Sequence, residues 1–79
     1  MTSTKIVPIH YKKLIKIFEL EGFQVSRQKG DHISMTKPGI LRPVVIKTSP
    51  HKVPVNHILT NLRTAGISRE KYLEYLDKV

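Results

Sequence analysis

The chain has 79 residues, enough for one small domain with a modest core. Fourteen Lys and Arg against six Asp and Glu give a formal charge of +8, which points to a polyanionic or strongly acidic partner. The lack of cysteine excludes disulfide staples and thiolate metal sites, no apolar run reaches the roughly 20 residues of a membrane span, and Met1-Thr2-Ser3-Thr4-Lys5 has none of the apolar stretch of a signal peptide, so a cytoplasmic protein is expected.

Residues 1–8 read as a polar lead closed by Pro8. From about Ile9 the pattern turns helical: Tyr11, Leu14, Ile15 and Phe18 recur at the spacing of one buried face, with Lys12, Lys13, Lys16 and Glu19 on the wet side. Gly22 supplies a left-handed stop. Phe23 to Gln28 then alternates as a half-buried strand, Phe23 and Val25 inward and Gln24 and Ser26 outward. Lys29-Gly30-Asp31 is a turn. His32 to Thr36 alternates again, with Ile33 and Met35 inward and His32, Ser34 and Thr36 outward. Lys37-Pro38-Gly39 is a second turn signal. A third strand is expected from about Ile40 to Lys47, with Pro43 weakening a ladder bond or placing the strand at an edge.

Thr48 to Val53 reads as a loop. Pro54 suits a helix start, Val55, Ile58, Leu59 and Leu62 form its apolar stripe, and Gly66 ends it. Ser68 is a good N-cap for a short last helix from Arg69 to about Asp77, carrying Tyr72, Leu73 and Leu76. The order predicts a single α+β domain over 1–79. It is a two-layer sandwich: a three-stranded antiparallel sheet with helices on one face, α-β-β-β-α plus an extra C-terminal helix over 68–79. The bare face would then display Gln24, Ser26, His32 and Ser34.

A leading amphipathic helix, then Glu21-Gly22-Phe23, Arg27-Gln28-Lys29-Gly30-Asp31-His32 and Lys37-Pro38-Gly39, resembles the HicA toxin family. So does the run from Pro50-His51-Lys52 through Val53-Pro54 to Asn61-Leu62-Arg63-Thr64-Ala65-Gly66-Ile67. The similarity spans about residues 11–67. It implies a fold like a double-stranded-RNA-binding domain, an mRNA-cleaving activity that inhibits translation, and a HicB-like antitoxin partner that blocks the site. The family's catalytic histidine maps onto His32. The chain departs from the family pattern at Asp31, where Ser is commoner, at Ile46-Lys47-Thr48, where many members carry Pro and His, and in the helix beyond Gly66.

A histidine side chain in general titrates near neutrality, so His32 could take the proton of a ribose 2′-hydroxyl or give one to a leaving 5′-oxygen. The plainer reading is a solvated strand histidine. Asp31 could orient the ring, although a turn-forming role is the commoner one. Arg27 and Lys29 flank the turn and suit a phosphate contact, and Lys37 and Lys52, with Arg42 and Lys47, could extend an RNA-binding track. His51, His57 and His10 are weaker candidates. Four dispersed histidines make no metal motif, so no metal or other cofactor is expected. Three functions compete: an endoribonuclease, a non-catalytic RNA-binding module on the same scaffold, and a domain whose basic face docks an acidic protein. The first is preferred.

Overall fold

The structure, a computed structural model, describes residues 5–79; the first four residues of the expected polar lead lie outside it. Its elements in chain order are β1 (Ile9–His10), α1 (Tyr11–Leu20), β2 (Gln24–Lys29), β3 (His32–Thr36), β4 (Val44–Lys47), β5 (Lys52–Val53), α2 (Val55–Ala65) and α3 (Arg69–Leu76). The main sheet is antiparallel in the order β2-β3-β4, so the strand carrying His32 lies in the middle. Ile33, Met35, Val44 and Ile46 point to one face and are buried with Leu14, Ile17 and Phe18 of α1, Ile58 and Leu62 of α2, and Tyr72 of α3. Each such side chain contributes about 1.5–3 kcal/mol when withdrawn from water. Among the described residues the other face carries no helix layer: His32, Val45 and Lys47 are exposed there. This is the expected two-layer α+β arrangement, consistent with a fold like that of a double-stranded-RNA-binding domain.

Local signals explain most boundaries. Gly30 takes φ +58° at the first of two residues joining β2 to β3, where a left-handed backbone closes a tight hairpin. Gly66 ends α2 at φ 72°, and the Ser68 hydroxyl accepts a hydrogen bond from the Lys71 amide at 3.1 Å, capping α3.

Several expectations are corrected. Ile9 and His10 do not begin the first helix. They pair with Val53 and Lys52 in a two-stranded ladder that ties the chain's start to the segment expected as a loop. His10 instead caps α1, its Nδ1 accepting from the Lys12 amide at 3.2 Å, and its ring stacks on Tyr11. On α1 Ile17 joins Leu14 and Phe18 as fully buried and Ile15 lies at the rim, because Leu14, Ile17 and Phe18 center the arc that meets the sheet. On α2 the same geometry selects Ile58, Asn61, Leu62 and Ala65 and leaves Leu59 42% exposed. The third strand is shorter than expected, starting at Val44 after Pro43, and Leu41 is wholly exposed. Val25, expected inward, is 49% exposed because β2 is an edge strand with little beyond it to cover its side chains.

The last helix is an integral part of the core. Tyr72 is fully buried, and the Tyr75 hydroxyl donates to Glu21 Oε1 at 2.5 Å, joining α3 to the end of α1.

Candidate functional site

The register of the sheet builds the site. Lys29 of β2 stands opposite His32, and Lys47 of β4 stands opposite it on the other side. Directly opposed residues of an antiparallel ladder project to the same face with Cβ atoms about 4.5–5.5 Å apart. A row Lys29–His32–Lys47 therefore crosses all three strands on the bare face. The next row is Arg27–Ser34–Val45. Strand spacing of about 4.8 Å puts the two lysine backbones roughly 10 Å apart, with the imidazole between them.

Simple alternation along β2 does not yield this row. Val25 pairs with Met35 on the inward face, and alternation from there would send Arg27 and Lys29 inward too. The pairing slips between Val25 and Arg27, leaving Ser26 as an extra residue. This β-bulge re-aims the rest of the strand, so that Arg27 and Lys29 join His32 on the open side. The Ser26 hydroxyl donates to the Ser34 carbonyl at 3.2 Å, spanning the irregularity.

His32 is half-exposed, and its Nδ1 lies 2.9 Å from Asp31 Oδ1. The two residues are adjacent, which in mid-strand would point them to opposite faces; Asp31 escapes this because it occupies the turn. Its backbone carbonyl accepts from the Thr48 amide at 2.8 Å, which fixes the turn against the end of β4. A neutral ring that donates Nδ1–H to this carboxylate carries its lone pair on Nε2. The pair is too exposed to add much stability; its effect is to fix tautomer and ring orientation.

Two depressions meet at His32. One, of about 500 Å³, is lined by Arg27, Lys29, Gly30, Asp31, His32 and Ser34. The other, of about 250 Å³, lies across β4 against α2 and includes Lys47 and His57. Sequence reasoning grouped Arg27 and Lys29 with His32 because they flank the turn, and the register puts all three side chains on one face.

The structure does not bring Lys37 or Lys52 to this place. Lys37 turns to the other end of the sheet, where its Nζ donates to Glu21 Oε2 at 3.2 Å and lies 5.2 Å from the center of the Phe23 ring. That ion pair and the Tyr75 hydroxyl hold the Glu21 carboxyl below its ordinary range, with the Tyr75 hydrogen bond the larger cause. Lys52 lies on β5 in the small ladder, opposite His10. His51 packs beside His10, with ring centers 5.6 Å apart. Among the described residues no cluster of His, Asp and Glu could hold a metal ion, and no helix is long and apolar enough to cross a membrane.

The protein is thus a small basic α+β domain that presents a histidine between two lysines on a bare sheet. A model of the HicA toxin of bacterial toxin–antitoxin systems matches residues 11–67, and the chain belongs to that family. The match stops before α3, so the helix carrying Tyr75 lies outside it. No curated protein and no solved structure matches the chain.

Proposed function

We propose that this toxin is an endoribonuclease that cleaves mRNA in the cytoplasm and so inhibits translation, with His32 as the catalytic residue and no metal in the reaction. The single observation that supports this most is the Lys29–His32–Lys47 row on the open face, with Asp31 holding the ring.

A phosphodiester seated over His32 would lie between cations on both sides, Arg27 and Lys29 on one and Lys47 on the other. In the reaction the 2′-oxygen loses its proton and attacks the neighbouring phosphorus. The bond from phosphorus to the 5′-oxygen breaks, leaving a 2′,3′-cyclic phosphate and a 5′-hydroxyl. Nε2 of His32 either accepts the 2′-proton as the neutral ring, with water protonating the leaving oxygen, or delivers its proton to the 5′-oxygen as the imidazolium, with water accepting the 2′-proton. The cations stabilise charge as it builds on the phosphoryl oxygens. A base requires the neutral ring and gives a rate rising with pH; an acid gives the reverse. A HicB-like antitoxin would silence the toxin by covering this face, and its acidic groups would complement the +8 chain.

The test is purified wild type against His32→Ala on a single-stranded transcript. His32 is half-exposed, so the variant should keep its circular dichroism and melting temperature while cleavage falls by roughly 10²–10⁴-fold. Expression of the wild type without an antitoxin should arrest growth and the variant should not. Equal cleavage by both proteins removes His32 from the reaction. Tight RNA binding with no cleavage by either makes the protein a binding module.

A further inference from the structure

The bare face does not end at β4. Beyond it lies the cavity of about 250 Å³, lined by His32, Val45, Lys47, His57, Thr60 and Asn61. Its near wall is the sheet and its far wall is one side of α2, where His57, Thr60 and Asn61 fall at the i, i+3, i+4 spacing that stacks side chains on one helix face.

Asn61 is the unusual member. It is only 7% exposed and is the buried polar residue among the described ones. It lines the cavity, where its side-chain amide offers a donor and an acceptor to an occupant. Thr60 spends its hydroxyl proton on the Asn56 carbonyl at 3.0 Å, so its oxygen is left as an acceptor. Val45, 43% exposed, provides an apolar floor, and the half-buried His57 a flat ring.

We infer that this cavity is a nucleobase subsite, which holds the base of a nucleotide next to the phosphate bound over His32. The inference rests on the phosphate site proposed above and deepens it. The volume falls just below the roughly 300–1,000 Å³ of sites for drug-sized ligands, which suits one base and excludes a longer stretch of RNA. The lining supplies what base recognition needs: a floor and a ring for the base faces, and an amide whose neighbouring donor and acceptor match a base edge. His32 lines both depressions, so a base held here leaves its phosphate beside the imidazole. Phosphate contacts alone are blind to sequence; this subsite makes the protein discriminate among bases.

The experiment uses nuclear magnetic resonance titrations of the full chain with the four nucleoside 5′-monophosphates, and with ribose 5-phosphate as a probe without a base. At least one nucleotide should shift the Asn61 side-chain amide and the His57 ring, while ribose 5-phosphate shifts only Arg27, Lys29 and His32. The best nucleotide should bind roughly tenfold more tightly than ribose 5-phosphate. That ratio should collapse toward one in Asn61→Leu and in His57→Ala. The second change is on a half-buried helix position where alanine is well tolerated, so it decides the matter if the first variant fails to fold. If every probe shifts only the residues around His32, or the ratio survives both substitutions, the base subsite is overturned and the phosphate site stands. If no probe shifts any of these residues, both fall together.

Discussion

The contact between Tyr75 and Glu21 gives a prediction whose size and pH dependence follow from the structure. Tyr75→Phe removes one oxygen and keeps the ring that packs in the core. The lost hydrogen bond ends on a carboxylate, and such bonds contribute about 1.5–3 kcal/mol net. The Glu21 side chain keeps 22% of its exposure and retains Lys37, which places the expected cost at the low end, about 1.5 kcal/mol. For a domain of this size that corresponds to a fall of about 6–12 °C in melting temperature.

The pH profile is the sharper test of the same contact. The Glu21 carboxyl is depressed below 4.5, first by the Tyr75 hydrogen bond and then by Lys37. A depressed carboxyl contributes stability that is present above its unfolded value and lost as pH falls through its folded value. The gap between wild type and Tyr75→Phe should therefore be constant near neutrality and close below about pH 4. At the alkaline end the Tyr75 phenol is raised to about 12, mainly by the Glu21 carboxylate. A raised phenol keeps its contribution below its unfolded value near 10 and loses it as pH climbs to about 12, so wild type should approach the variant there as well. Tyr72, raised to about 12 by burial, titrates in both proteins and cancels in the difference. Urea unfolding at pH 3, 7 and 11 measures all three points. Equal stability of the two proteins at pH 7, or a gap of the same size at pH 3, refutes the assigned role of this bond.

The remaining predictions concern the open face. Arg27→Ala with Lys29→Ala should weaken binding of single-stranded RNA and reduce the slope of log affinity against log salt by about 1.4, since each phosphate contact on a single strand contributes about 0.7; fluorescence anisotropy between 50 and 200 mM salt, at about these concentrations, reads this, and an unchanged slope takes both residues off the phosphate path. Lys37→Met should leave that slope unaltered, because Lys37 is committed to Glu21, but should lower the melting temperature. Asp31→Asn should preserve folding and reduce cleavage by more than it reduces RNA affinity, because it frees the His32 tautomer and leaves the cations in place; equal losses in both would mean that Asp31 acts only as a turn residue.

Much of the scaffold was legible in the chain because it rests on local rules. The alternation of Ile33 and Met35 against His32 and Ser34 decides which side of the middle strand meets water. Gly30 between two alternating runs marks the hairpin, and Ser68 marks a helix start, each through backbone chemistry confined to a few residues. The candidate histidine could be named from these facts and from the family resemblance, since both depend on the order of residues along the chain.

What surrounds that histidine was decided in three dimensions. A bulge is a mismatch between two strands, so nothing within β2 announces that Ser26 is the extra residue or that Arg27 and Lys29 turn outward after it. Lys47 becomes the neighbour of His32 only through the register of β3 with β4. Lys37 reads as one more surface cation until Glu21 and Phe23 meet it from elsewhere in the chain. Asn61 sits one position from the expected stripe of α2, and only the docking angle of that helix sends it into the wall of a cavity. Periodicity assigns residues to inside or outside; it carries no information on which distant side chains share a face, because that depends on how the strands and helices are brought together.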